Sequence, residues 1–356
     1  MRKLYLDNIR WITVVLVVIY HVIYMFNGVE RHGVIGPFKE IQYQDVYQYI
    51  VYPWFMLLLF VVSGMSARFY LENHTDKEFR TSRTVKLLVP STIGLFVFQW
   101  ILGYYNTCIS GVWNTMSDEV PGIVKYLIMV ASGTGVLWYI QLLWVFSMLL
   151  LVVRKLEKDR LYHVCSKTNL YILLLLTVAI WGAAQVLNTP VVTVYRFGIY
   201  GLGFFIGYYV FSHNEVMERL GNYWIPLVVA AVVIGILFVK VYWGQPYAEA
   251  VVLKTFLCNV YAWIAVLAIL AFMKVKGNFE NPFSIVMKKK AWGLYVFHYL
   301  PLAMCAYYLH TYQPDMLPVL QYLLVTVSAF AGSFLFYEII SRIPVLRFCV
   351  LGIRKK

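Results

Sequence analysis

The feature that most constrains this chain is the repetition of long apolar blocks separated by short polar segments. A helix of about 20 residues crosses a hydrocarbon core of about 30 Å. Of the 356 residues, 61% are hydrophobic and only 13% are charged, whereas about a quarter of a typical soluble domain is charged. The alternating pattern of a transmembrane β-barrel is not visible. The sequence therefore predicts an all-α polytopic membrane protein.

The apolar blocks predict about ten transmembrane helices, and the basic residues predict their orientation. The predicted spans cover residues 9–27, 47–70, 87–106, 134–153, 170–187, 196–211, 223–242, 251–273, 291–309 and 318–338. With the N-terminus inside, the basic residues left on the outer side are Arg31, Lys39, Lys125, Arg196, Lys240 and Lys254. Because Lys and Arg concentrate on the cytoplasmic side of membrane proteins, both termini are predicted to be cytoplasmic.

Charge and cysteine usage exclude several classes of protein. The net charge of +13 does not indicate nucleic-acid binding, because the basic residues lie in short segments between apolar blocks. The five cysteines form no CxxC pair and no metal-binding spacing, so neither a disulfide framework nor a metal site is expected. The first block contains a histidine and lacks a small-x-small cleavage site, which favours a retained helix over a signal peptide. We expect one transmembrane domain over residues 1–356, with no soluble domain attached.

Two ionisable residues, Arg10 and His21, stand in the first apolar block. Such residues cost free energy in a membrane and are candidate functional positions. Eleven residues turn a helix by about 1100°, so the two side chains lie on one stripe, about 16 Å apart along the axis. The arginine could hold a phosphate, and a neutral, partly buried histidine could take a proton from a hydroxyl. The alternative is that Arg10 reaches lipid head groups and His21 only hydrogen-bonds a neighbouring helix.

A group of arginines is predicted near the cytoplasmic end of Arg10. Arg68 ends the second span, and Arg80 and Arg83 follow in the next polar segment. Together they could form a cationic rim for a polyanionic ligand such as a nucleotide-bearing cofactor. The alternative is that they only determine the orientation of the protein in the membrane.

Three further polar residues lie in or beside later spans. Arg196 is predicted at the outer face, against the usual orientation bias, so we expect it to have a partner. His298 lies within the ninth span, where a hydrogen-bonded core histidine is the simplest interpretation. Glu338, at the inner end of the tenth span, could pair with Arg68 or Arg10.

Taken in order, the motifs of this chain resemble those of the membrane acyltransferase-3 family, whose bacterial members have ten transmembrane helices and O-acylate glycans and other acceptors. The resemblance is carried by Arg-x10-His in the first span and then by "SGMSARFY", "RTVKLLVPSTIG", "GVLWYIQLL", "YRFGIYGLGFFIG" and "GLYVFHYL". It covers essentially the whole chain. Two positions depart from the family pattern. Val136 stands where many members have histidine or proline, and Met65 replaces the usual aromatic residue.

The resemblance implies an enzyme of the bacterial cytoplasmic membrane that moves an acyl group, most commonly acetyl, from cytoplasmic acyl-CoA to a hydroxyl. The acceptor would be an extracytoplasmic glycan or a small hydroxylated molecule. Acyl-CoA would be a substrate, with no tightly bound cofactor and no metal. The implied catalytic residues are His21 and Arg10, and the implied contacts of the CoA phosphates are Arg10, Arg68, Arg80 and Arg83. The candidates for binding or orienting the acceptor are Arg196, His298, Trp138 and Glu338.

Two mechanisms and one other function are compatible with these residues. His21 could act as a general base in a single-step transfer, or it could receive the acyl group itself. The main alternative function is a transporter or flippase for a lipid-linked or small polar substrate, with the histidines as proton relays and the glycines as hinges. The sequence shows no inverted repeat and no matched pair of broken helices, so the acyltransferase is preferred.

Overall fold

The computed structural model describes residues 3–30, 33–40, 42–117, 119–189 and 194–354. In these ranges the chain forms α-helices, short 3-10 and π-helical segments, and no β-strand. The α-helices are α1 (Leu4–Met25), α2 (Val46–Leu71), α3 (Asp76–Arg83), α4 (Val89–Ser91), α5 (Trp100–Ile109), α6 (Val112–Thr115), α7 (Gly122–Ser132), α8 (Trp138–Glu157), α9 (Arg160–Cys165), α10 (Leu170–Gln185), α11 (Phe197–Ile206), α12 (Asn214–Gly221), α13 (Trp224–Tyr242), α14 (Ala250–Leu253), α15 (Phe256–Lys276), α16 (Pro282–Phe297), α17 (Tyr299–Tyr312), α18 (Pro318–Arg342) and α19 (Pro344–Leu351). The predicted all-α class is confirmed for the described residues.

Seven helical segments of the described chain are long and apolar enough to cross a membrane. They are Leu4–Met25, Tyr43–Leu71, Asp76–Ile109, Gly135–Glu157, Trp224–Tyr242, Phe256–Lys276 and Pro318–Arg342. Two of the remaining predicted spans correspond to shorter apolar helices, α10 and the segment Phe197–Phe211, and the predicted span 291–309 corresponds to the pair α16 and α17. The number of ten spans and the orientation of the termini stay predictions.

The chain forms two compact units, each assembled from several segments. Unit 1 comprises the residues up to Thr13, Gln48–Thr81 and Leu142–Lys288. Unit 2 comprises Val14–Tyr47, Ser82–Gln141 and the residues from Lys289 onward. The single domain expected from the sequence stays a prediction.

In unit 1, α2 and α15 are the central helices. In their apolar 18-residue stretches, 78% and 72% of the residues are buried. Helix α13 packs along α15, but only 17% of its apolar stretch is buried, and it exposes Val233 and Ile236. A helix that is apolar on its exposed side is stable in lipid rather than in water. Helix α13 is therefore a peripheral, lipid-facing helix of this unit.

Two glycines bring α2 close to the helical segment that begins with α11. A Cβ atom at Gly64 would overlap the backbone carbonyl of Phe204, and one at Gly207 would overlap the carbonyl of Val61. Only glycine leaves room for this approach of backbone to backbone. The contact positions the C-terminal end of α2, which carries Arg68, within unit 1.

In unit 2, α17 packs against α5 and α18, and α19 packs against α4. Helix α16 ends at Phe297 and α17 begins at Tyr299, because Pro301 has no N–H to donate to the carbonyl of Phe297. The predicted span 291–309 is therefore two helices that meet at His298.

Candidate active site

In unit 2 the structure brings together the two histidines singled out in the sequence. His21 lies on α1 and is half-buried, and His298 is fully buried between α16 and α17. Nε2 of His298 lies 3.1 Å from Nδ1 of His21, and the ring centroids are 5.1 Å apart. This pair of imidazoles forms the centre of the candidate active site.

The surrounding acceptors determine where the protons of this pair reside. Nδ1 of His298 donates its hydrogen to the backbone carbonyls of Leu294 and Tyr295, at 3.0 and 2.9 Å, so Nε2 of neutral His298 is an acceptor. Nδ1 of His21 therefore carries a hydrogen, which it shares between His298 and the carbonyl of Val17 at 2.9 Å. Nε2 of His21 is left unprotonated, and no described residue hydrogen-bonds to it. That atom is available as a base.

Tyrosines surround the histidine pair. The ring of Tyr299 lies 4.9 Å from the ring of His21, and that of Tyr20 lies 5.1 Å away, both edge-on. The hydroxyl of Tyr295 donates to the carbonyl of Val136. The departure from the family pattern at residue 136 therefore leaves this contact intact, because the contact uses the backbone rather than the side chain.

Trp138 is the first residue of α8, and aromatic rings connect it to Tyr295. Its ring lies edge-on to that of Tyr139, which in turn lies 5.8 Å from the ring of Tyr295. Since Tyr295 supplies one of the carbonyls that hold His298, Trp138 is connected to the histidine pair through two aromatic rings. Its predicted role in orienting the acceptor is not tested by this geometry.

In unit 1 a cavity of about 650 Å³ opens at the N-terminal end of α1. We call it the α1 cavity, and its lining includes Lys3, Arg10, Tyr70, His74, Tyr162 and His213. This volume is typical of small-molecule sites.

Arg10 lines the α1 cavity, and neighbours that include Asp7 and Ser66 hold it in place. Its Nη1 donates to a carboxylate oxygen of Asp7 at 2.9 Å, and its Nη2 donates to the hydroxyl of Ser66. The Ser66 hydroxyl donates in turn to the carbonyl of Val62 at 2.6 Å. Arg10 is thus a positioned guanidinium at the wall of a cavity, and its contact with a phosphate stays a prediction.

Arg68 is oriented by its neighbours within unit 1. Its Nη1 donates to Asp159 at 2.8 Å and to the hydroxyl of Tyr208 at 3.3 Å, and its guanidinium lies 3.6 Å above the ring of Tyr162. Arg68 is not among the described residues that line the α1 cavity, although Tyr162 is. Its phosphate contact stays a prediction.

The other predicted basic residues occupy different surroundings. Arg80 and Arg83 lie in the last turn of α3, the first exposed and the second half-buried, and neither residue's role is tested by its position. Arg196 is buried, and its Nη2 donates to the carbonyl of Leu253 at 3.2 Å. The expectation that Arg196 has a partner is confirmed.

Glu338 does not have the partners expected from the sequence. It pairs with Lys290, and one of its oxygens lies 3.5 Å from Nη2 of Arg342. Arg68 instead pairs with Asp159, and Arg10 with Asp7. The predicted pairing of Glu338 with Arg68 or Arg10 was wrong, because the cations close to Glu338 are Lys290 and Arg342.

Several residues of these sites were given no role from the sequence. Tyr295 and Tyr299 both lie in the motif "GLYVFHYL", in which only His298 was taken as a candidate site residue. Tyr162 and His213 lie in short segments that resemble ordinary connections, so no local pattern marks them. Among the described residues, no group of three or more His, Cys, Asp or Glu side chains is arranged to hold a metal ion.

Comparison with known proteins agrees with the order of motifs. The chain matches the model of a family described as an acyltransferase domain, acyltransferase family 3, over residues 3–338. No curated protein and no solved structure is significantly similar to the chain.

Proposed function

Because the chain belongs to the acyltransferase-3 family over nearly its whole length, we propose that it is a multi-pass membrane acyltransferase that uses acyl-CoA, with acetyl as the acyl group. In this proposal the donor enters from the cytoplasmic side of a bacterial cytoplasmic membrane. The acceptor is a hydroxyl of an extracytoplasmic glycan or a related small molecule.

The observation that supports this proposal most directly is the hydrogen bond between His21 and His298. It orients His21 and leaves its Nε2 unprotonated, which is the state that a general base requires. In the proposed step Nε2 takes the proton of the acceptor hydroxyl while the hydroxyl oxygen attacks the thioester carbonyl. The C–O bond forms, the C–S bond breaks, and the CoA thiolate leaves and takes up the proton from His21. His298 acts as a positioning residue.

The donor is proposed to lie along α1. The helix is uninterrupted from Leu4 to Met25, so Arg10 and His21 keep the common stripe expected from their spacing. Arg10 contacts a phosphate of CoA at one end, and the thioester lies near His21. Arg68, Arg80 and Arg83 are the other candidates for phosphate contacts. Arg196, Trp138 and Glu338 remain candidates for the acceptor side.

The proposal is tested with purified full-length protein in lipid nanodiscs and acetyl-CoA labelled in the acetyl group. Wild-type protein is expected to release free CoA thiol and to transfer label to an acceptor in a membrane and cell-wall extract. His21→Ala is expected to do neither while still binding CoA. Wild-type protein that binds acetyl-CoA but never cleaves it would contradict acyl transfer. Accumulation of an unmodified solute in proteoliposomes would indicate a transporter instead.

A further inference from the structure

The α1 cavity of unit 1 is lined by two aromatic stacks that the mechanism above does not use. In the first stack, the ring of Tyr162 lies between the guanidinium of Arg68, at 3.6 Å, and the imidazole of His213, at 3.9 Å and 26°. Both groups lie over the ring at van der Waals distance, so they occupy opposite faces. His213 is the last layer of this stack, and it lines the cavity.

The second stack lies on the C-terminal end of α2. The imidazole of His74 lies 3.9 Å from the ring of Tyr70 with an angle of 14° between the planes. His74 is exposed and lines the cavity, as does Tyr70. Two separate stacks therefore end in imidazole groups at the wall of one cavity.

Hydrogen bonds hold both imidazoles and determine which nitrogen of each ring is left as an acceptor. Nε2 of His213 donates to the carbonyl of Tyr162 at 2.9 Å, and Nδ1 of His74 donates to the carbonyl of Tyr70 at 3.0 Å. In the neutral tautomers this leaves Nδ1 of His213 and Nε2 of His74 as acceptors. Burial lowers the pKa of His213 below its ordinary value, which favours the neutral form.

The charges of the cavity wall are mixed. Arg10 and Lys3 supply positive charge, and the ammonium of Lys3 lies 3.9 Å from the ring centre of Phe69 and donates to Asn214 at 2.6 Å. Asp7, Glu72 and Glu215 also line the cavity. The positive groups suit the phosphates of a nucleotide, and a planar, amine-bearing ring can use both the stacking faces and the acceptors.

We propose that the α1 cavity binds the adenine base of the donor, with the base stacked on one of the two imidazoles, His213 or His74, and its amino group donating to the acceptor nitrogen of the other. This inference rests on the proposed use of acyl-CoA. Arg68, which is also a candidate for a phosphate contact, then holds Tyr162 beneath His213, and Asp159 orients Arg68. The cavity selects donors that carry a nucleotide over donors that carry only a pantetheine arm.

The test uses full-length protein in nanodiscs and two radiolabelled probes, adenosine 3′,5′-bisphosphate and 4′-phosphopantetheine, which lacks the base. The double variant H74L/H213L is expected to raise the Kd of the adenine probe about tenfold, as is usual for the loss of a stacked base. The Kd of the second probe should change less than twofold. The double variant H74F/H213F keeps flat rings, so it should bind the adenine probe within about threefold of wild type. His310→Leu, at an exposed position of unit 2, is the matched control.

The outcomes separate this inference from the proposed function. Equal loss of both probes in H74L/H213L, or no loss of either, would overturn the stacking site. So would competition by inorganic phosphate as strong as that by the adenine probe, which would indicate a phosphate or lipid head-group site. If wild type binds the adenine probe through these histidines but cleaves no acetyl-CoA, the proposed function fails and the nucleotide site stands.

Discussion

Nε2 of His298 lies 3.1 Å from Nδ1 of His21, a contact between residues 277 positions apart in the chain. The backbone carbonyls of Leu294 and Tyr295 fix the proton of His298 on its other nitrogen. A neutral imidazole in this place orients His21 and fixes its tautomer, as the aspartate does in a Ser-His-Asp triad, but without a full negative charge.

Removal of the proposed base is the most direct test of this arrangement. His21→Ala should lower the rate of acetyl transfer at least about 100-fold, because a positioned general base contributes about 10²–10⁴-fold. The rate is measured as label transferred per mole of inserted protein, and binding of CoA should persist. His310→Ala, at an exposed histidine, should keep wild-type activity. A His21→Ala variant with near-wild-type turnover would remove His21 from the chemistry.

His298 should affect turnover through His21 rather than through substrate binding. His298→Ala should lower kcat about 10- to 100-fold with little change in the KM for acetyl-CoA, since His21 keeps only the carbonyl of Val17 as an acceptor and its ring is less firmly oriented. His298→Gln, which can place an oxygen near the position of Nε2, should recover part of the lost rate. The pH profile of kcat should shift in His298→Ala. If the profile is unchanged and KM carries the whole effect, the residue does not position the base.

Arg10 should contribute mainly to donor affinity. Arg10→Ala should raise the Kd of acetyl-CoA about tenfold, an effect of about 1.4 kcal/mol at 25 °C, and Arg10→Lys should recover part of it. Equilibrium dialysis with labelled CoA measures the change, and the effect should weaken at high salt. The control is Arg342→Ala, since the Arg342 side chain is 79% exposed. An unchanged Kd in Arg10→Ala would exclude the phosphate contact.

The close approach at Gly64 should be sensitive to a single methyl group. Gly64→Ala places a Cβ against the carbonyl of Phe204, so it should destabilise the protein by about 1–3 kcal/mol, as overpacking of a core typically does. Thermal unfolding in detergent measures the change. Gly182→Ala is the matched control, because its Cβ would meet no atom within 4 Å. Equal Tm values for the two variants would show that α2 and α11 can move apart without loss of stability.

Acid should destabilise the protein in part through His213. Burial lowers the pKa of His213, with Arg68 and His163 acting in the same direction, while the Tyr162 carbonyl and Glu215 oppose the shift. Below the ordinary value of 6.5 the unfolded chain binds more protons at this residue than the folded chain, so stability falls as pH falls through about 6.5. In His213→Phe, Tm should depend less steeply on pH between 7 and about 5. A steeper dependence in His213→Phe would contradict a lowered pKa of His213 in the folded protein.

Composition and periodicity were sufficient to determine the class of this protein. Long apolar blocks have one stable solution in lipid, the hydrogen-bonded helix, so the helical class followed without tertiary information. The spacing of Arg10 and His21 also determined a common stripe, because 3.6 residues per turn holds along an uninterrupted helix. The order of motifs indicated the family. The break in the ninth predicted span could have been read from Pro301.

Contacts between distant segments were decided only by the tertiary structure. His298 was a lone core histidine in the sequence, and its bond to His21 depends on how α1 packs beside the junction of α16 and α17. Glu338 was assigned the wrong partner because the strength of an ion pair depends on distance, and the sequence does not give the distances between residues on different helices. The structure pairs Glu338 with Lys290 and Arg68 with Asp159. The stacks that end in His213 and His74 have no local signature, because each joins rings whose separation is determined by packing.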